Sequence, residues 1–154
     1  MPNPYAPPGS EVADPSRTMP PVPPAVRRAC LLFLSSLALG LVTLLPGVRP
    51  VRPDDAAVPA LFTLLVVLFF GGITVWLTWK LYRGRNWARW TMLAYVLFGW
   101  WIGASELTDD FLASPLAGLI DLVCIAIEAI GCWALFFGAG AGWYRALAAA
   151  RSRR

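Results

Sequence analysis

The sequence predicts an all-α protein: a four-transmembrane-helix bundle with a disordered Pro-rich N-terminal tail. Three observations carry this expectation. Of 154 residues, 58% are hydrophobic and only 14% are charged, an apolar excess over the roughly 45–50% of soluble domains. The apolar residues fall into four long blocks, and about 20 of them at ~1.5 Å rise match a hydrocarbon core ~30 Å thick. The charges collect at the ends of those blocks with a strong bias in sign, as membrane insertion requires.

Each element follows in order. Residues 1–26 form a tail whose first 24 residues hold nine prolines and few bulky apolar side chains, so neither a helix nor a core is expected there. It is read as a solvated leader, with a proline-rich ligand as the alternative. The first span is placed at about 29–48, after Arg27 and Arg28. Cleavage as a signal sequence is not expected, because the run is long and no A-x-A site closes it. The second span, about 58–80, follows Asp54-Asp55 and ends in Lys80 and Arg83, cations that suit a helix C-terminus. Gly84 is expected to supply the left-handed residue that ends this helix, with Asn86 capping the next. The third span covers about 87–107. Pro115, a favourable first-turn proline, opens the fourth at about 115–137, before the glycines of GAGAG. The transmembrane domain is thus 27–144, and 145–154 is a basic cytoplasmic tail, expected to be helical at the membrane surface or frayed into water.

Orientation follows from counting. Four spans put the N-tail, the turn at 81–86 and the C-tail on one side. That side holds eleven of the thirteen Lys and Arg, while Arg49 and Arg52 alone fall on the other. The positive-inside rule makes both termini cytoplasmic. Trp76, Trp79, Tyr82, Trp87, Trp90, Trp143 and Tyr144 cluster at the same helix ends as an aromatic belt, and Trp100 with Trp101 is read as marking the opposite interface. Arg85, Trp87 and Arg89 are the expected lipid-headgroup anchors, Arg89 by snorkelling. An Asp-Asp pair followed four or five residues later by proline recurs at Asp54-Asp55 and Asp109-Asp110, a weak sign of hairpin duplication.

Several function classes lose support. The net charge of +4 comes from arginines that flank the apolar blocks, so nucleic acid is not an expected partner. The chain has no histidine, which removes the commonest metal ligand and general base. Cys30, Cys124 and Cys132 lie inside apolar blocks and read as buried free thiols. No enzyme activity, metal or cofactor is expected.

The sharpest clue is the pair Asp121 and Glu128, seven residues apart and so on one face of the fourth helix. A charge in hydrocarbon costs about 2.5–3.5 kcal/mol or more, which makes intramembrane acids functional candidates. One reading is a proton- or cation-coupling pair. The other is a structural one, in which the acids hydrogen-bond to Ser35, Ser36, Thr43, Thr63 or Thr74 and fix the bundle register. Asp54, Asp55, Glu106, Asp109 and Asp110 form a candidate outer acidic cluster on two loops, suited to a divalent cation or a basic partner. Gly71-Gly72, Gly99, Gly103, Gly118 and Gly131 are small residues that let helices approach, with intramolecular packing favoured over dimerisation for the Gly99-xxx-Gly103 pattern.

Gly84-Arg85-Asn86-Trp87-Ala88-Arg89, between the second and third spans, resembles a motif of small four-helix bacterial inner-membrane proteins of uncharacterised function. The Asn3–Pro8 stretch is similar to the leader of various proteobacterial membrane proteins. The resemblance implies a multi-pass inner-membrane location and brings no activity with it. The expectation is therefore a non-enzymatic structural, interaction or accessory component, whose partners are the bilayer and either a second copy or another membrane protein. The alternatives are a small oligomeric transporter or channel using Glu128 and Asp121, and an immunity or accessory partner of a membrane-targeted toxin.

Overall fold

A computed structural model describes residues 20–45, 48 and 59–152. Among them every regular element is an α-helix: α1 (Pro24–Val42), α2 (Ala60–Tyr82), α3 (Asn86–Ala113), α4 (Pro115–Phe136) and α5 (Gly138–Ser152). Three of these, α1, α2 and α4, are long and apolar enough to cross a membrane. α3 is the longest but more polar, carrying Arg89 near its start and Glu106, Asp109 and Asp110 near its end. The expected tail falls, up to Met19, outside the described residues, as do Arg49, Arg52, Asp54 and Asp55.

Local chemistry explains where the helices begin and stop. α1 starts five residues before the expected span because Pro23 and Pro24 take the N-cap and first-turn positions, where a missing N–H costs nothing. Arg27 and Arg28 therefore ride exposed on the helix itself. It stops at Val42, and Thr43 to Leu45 continue in i→i+3 turns, with bonds of 3.2, 3.2 and 3.0 Å. Pro46 is the physical reason, since a proline disfavours helix at the residue before it. α2 ends as its glycine predicts: Gly84 sits at φ +68°, its N–H reaches Leu81 O at 2.9 Å and the Arg85 N–H reaches Lys80 O at 3.2 Å. This pair of bonds is a Schellman stop.

α3 departs from expectation by running six residues past Leu107 to Ala113. Residues 108–113, expected as a loop, are helical, because no glycine or proline interrupts the chain before Ser114-Pro115. Ser114 then caps α4. Its Oγ accepts from Ala117 N at 3.4 Å and donates to Val48 O at 2.8 Å, tying the α4 N-terminus to the segment after α1. Ser114→Ala is expected to lower stability by about 1 kcal/mol, while Thr keeps most of it. Thermal melting in detergent reads this, and an unchanged Ala variant would reject the cap.

The helices close in a ring, with α1 packed chiefly on α4, then α4 on α3, α1 on α2, and α2 on α3. Small residues permit some of these approaches. A Cβ at Gly131 would lie 3.1 Å from the Phe33 ring, and one at Gly71 3.6 Å from Leu37. Gly99 and Gly103 behave otherwise, because a Cβ there would meet nothing within 4 Å. The packing role expected for that pair is not found among the described residues.

The core lies at one end. Val26, Cys30 and Phe33 of α1, Leu77 and Leu81 of α2, Ala88 and Met92 of α3, and Cys132 and Leu135 of α4 form one buried cluster. α5 completes it. Residues 145–152 of the expected basic tail belong to a helix that starts at Gly138 (φ +61°) and buries Gly140, Trp143, Tyr144 and Leu147. Those positions recur every three or four residues, so one face of α5 is apolar and has a core to dock on. At the other end α2 is bare: Ala60 to Val66 are all exposed, Leu61, Phe62, Leu64 and Leu65 by more than half.

Candidate functional site

Glu128 projects from the middle of α4 into the space between α1 and α3. Ser36 of α1 donates its hydroxyl to Oε1 at 2.8 Å, and Trp100 of α3 donates its indole N–H to Oε2 at 2.8 Å. One side chain thus joins three helices, each carboxylate oxygen holding a different neighbour. Ser36 is buried and Trp100 half-buried, so both donors would lack water if the acid were removed. One turn away, Cys124 Sγ reaches the Ser36 carbonyl at 3.6 Å. Nearby, Thr74 and Tyr95 join α2 to α3, the Thr74 hydroxyl lying 3.1 Å from the Tyr95 hydroxyl while both bond Phe70 O at 3.0 and 3.1 Å.

Two cavities flank the carboxylate. The larger, about 450 Å³, lies between α3 and α4; the smaller, about 340 Å³, is walled by α1, α2, α3 and α4. Asp121, Cys124 and Glu128 line both, as expected of positions i, i+3 and i+7 on one helical face. Phe70 and Tyr95 also line both, so the acids face aromatic walls.

Of the five structural partners expected for the acids, Ser36 takes that role for Glu128. Ser35 and Thr43 bond back to Leu32 O and Gly40 O of their own helix at 2.8 and 2.7 Å, and Thr74 serves Phe70 and Tyr95. Trp100 is the residue that the sequence reading misplaced: read as an interface marker, it turns inward to Glu128. A signal existed, because Trp100 and Glu128 lie fourteen residues on either side of Ser114, the corner of a helical hairpin, and so share one depth. The outer acidic cluster falls outside the described residues. Asp54 and Asp55 lie outside them, and the side chains of Glu106, Asp109 and Asp110, on the last turns of α3, are likewise outside them.

The basic end has its own geometry. Arg85 and Trp87 are exposed, and Trp87 packs on Trp76 with ring centroids 5.5 Å apart. Lys80 and Arg83 lie over Trp79 at 4.7 and 4.0 Å. Arg89 turns inward, its guanidinium 5.2 Å from the Phe136 ring and 5.3 Å from Tyr144, with a buried Nε that finds no hydrogen-bond partner among the described residues. Tyr144 donates to Leu81 O at 2.9 Å, and Arg151 donates to Gly84 O at 3.1 Å, fastening α5 to the α2–α3 turn. Burial pushes the Tyr144 phenol well above its usual range, with Cys30 adding and Arg89 opposing, so it stays a donor.

Fold and site together define an all-helical protein with three helices apolar enough for a bilayer and an acid pair lining cavities between its helices. Compared with known proteins, the chain matches no family model, no curated protein and no solved structure.

Proposed function

We propose that the chain is a four-span inner-membrane protein of bacteria, with both termini cytoplasmic, that acts as a non-enzymatic structural or accessory component. The observation carrying this reading is the clasp at Glu128, in which both carboxylate oxygens are taken up by donors on α1 and α3. An intramembrane acid satisfied in this way fixes helix register. α3 counts as the fourth span because its middle, Thr91 to Gly103, is uncharged and it packs between α2 and α4. Its arginine end faces the basic hub, as the positive-inside rule asks. The resemblance of Gly84–Arg89 to the turn motif of small four-helix inner-membrane proteins supports the same location.

A second reading, a small oligomeric transporter or channel coupled to protons or cations through Glu128 and Asp121, is favoured by one observation: the same two acids line both cavities. Reconstituted protein separates the two. The structural reading expects no proton or cation flux above empty liposomes, and a C-terminal reporter active only in the cytoplasm. Flux that Glu128→Gln abolishes, with the fold retained, would replace it by the transport reading. A periplasmic C-terminus would overturn the orientation.

A further inference from the structure

We infer that the larger cavity, between α3 and α4, is a binding site for a lipophilic organic cation that enters sideways from the bilayer. The inference rests on the membrane-spanning reading above and on the cavity-lining acids of the second, and it names the ligand class.

Four properties of the cavity converge on that class. Its volume, about 450 Å³, falls in the roughly 300–1,000 Å³ range of small-molecule sites. Its walls are mostly apolar, and Phe70, Tyr95 and Trp100 are among the residues that line it. Aromatic faces attract cations and repel anions, which makes an aromatic lining better suited to a cation than to an anion. Its ionisable groups include two carboxylic acids, Asp121 and Glu128. The two hydrogen-bond donors to Glu128, a hydroxyl and an indole N–H, are neutral, so neither occupies the place of a cation beside the acid. Carboxylate oxygens accept more than one partner, which leaves Glu128 able to face a cation while clasped.

The fourth property is the doorway. Gly99 and Gly103 line the cavity on the exposed side of α3, one turn apart, and a Cβ at either would meet nothing within 4 Å. Phe98 and Ile102 beside them are 54% and 53% exposed. In a bilayer this mouth opens onto acyl chains rather than water. A solute arriving that way must be apolar enough to dissolve in lipid and positive enough to prefer two acids to the tails. An inorganic cation or a sugar meets neither condition, and a neutral lipid chain gains nothing from the acids.

The test uses the purified full chain in maltoside micelles, with tetraphenylphosphonium as probe and tetraphenylborate as its counterpart of equal shape and opposite charge. Calorimetry against empty micelles is expected to show saturable binding of the phosphonium only. Asp121→Asn and Glu128→Gln should each weaken it at least about tenfold, the order expected when one partner of a desolvated charge pair is neutralised. Gly103→Leu should block the mouth and weaken binding similarly while melting as the native chain does. If Glu128→Gln fails to fold, the Asp121 and Gly103 variants decide alone. No saturable phosphonium binding, equal binding of the borate, or undiminished binding in those variants overturns the site and leaves an apolar groove filled by lipid. Flux in liposomes without phosphonium binding rejects the ligand class alone and leaves the coupling reading standing.

Discussion

Gly140→Ala is expected to release α5 from the bundle, at a cost of about 1–3 kcal/mol or more. The added Cβ would collide with the carbonyl oxygen of Ala134, with Leu135 Cα behind it at 3.3 Å. Both are backbone atoms in the last turn of α4, so no side chain can rotate away. Alanine improves intrinsic helix propensity by about 1 kcal/mol, but that gain leaves the overlap in place, and the helix must tilt to escape. Tilting would stretch the Tyr144–Leu81 and Arg151–Gly84 bonds and uncover Trp143 and Leu147, which pack against Gly84. Gly142, two residues on, is the control: a Cβ there meets nothing within 4 Å, so Gly142→Ala should be neutral or stabilising. Melting in detergent and protease sensitivity of the C-terminal segment compare the two. Equal behaviour would show that α5 is not held by this contact.

Glu128→Ala should cost about 2–4 kcal/mol, since it strands the Ser36 hydroxyl and the Trp100 indole N–H together; each buried group left without a partner costs about 1–3 kcal/mol, less where donors in lipid find substitutes. Glu128→Gln should recover most of the loss. Its amide oxygen can accept from Trp100, which has no acceptor of its own, while its NH₂ donates to Ser36 Oγ, which can turn to accept. Stability thus follows hydrogen-bond geometry rather than charge. The proposed cation affinity follows charge instead, so Gln is the substitution at which the two properties part. A double-mutant cycle with Trp100→Phe measures the coupling directly. Additive losses, or an alanine variant that melts with the native protein, would remove the clasp.

Much of the fold was legible in the chain because its signals are local. The Gly84 stop and the Pro115 opening each follow from backbone chemistry within a few residues, and the structure places a left-handed Gly84 and an α4 beginning at Pro115 there; α3 begins at Asn86 itself, the residue expected to cap it. Asp121 and Glu128 could be put on one face by spacing alone, and they line the same cavities. Less was legible where two segments must meet. Trp100 looked like an interface residue because tryptophan prefers interfaces, and only the turn at Ser114 brings it level with Glu128. The glycines behaved in the same way: Gly131 packs on Phe33 while Gly99 and Gly103 face open space, although all three read alike in sequence. Position 89 gave the opposite surprise, since an arginine expected to reach for headgroups has its guanidinium among Phe136, Tyr144 and Trp90.

The sequence by itself determined the helical class, the apolar character of three helices and the polarity of charge between the ends. Those depend on composition and on period, which need no partner. Tertiary structure decided which end is closed and which is hollow. The tight core forms where α5 docks, because the chain breaks helix at Phe137-Gly138 and the Gly140–Tyr144–Leu147 face packs on α4, Leu81 and Gly84. Around Glu128 the helices meet through single polar contacts, Ser36 and Trp100 each 2.8 Å from a carboxylate oxygen, with a cavity on either side. A side chain's partner is set by the three-dimensional crossing of helices far apart in the chain, and no periodicity within one helix encodes it.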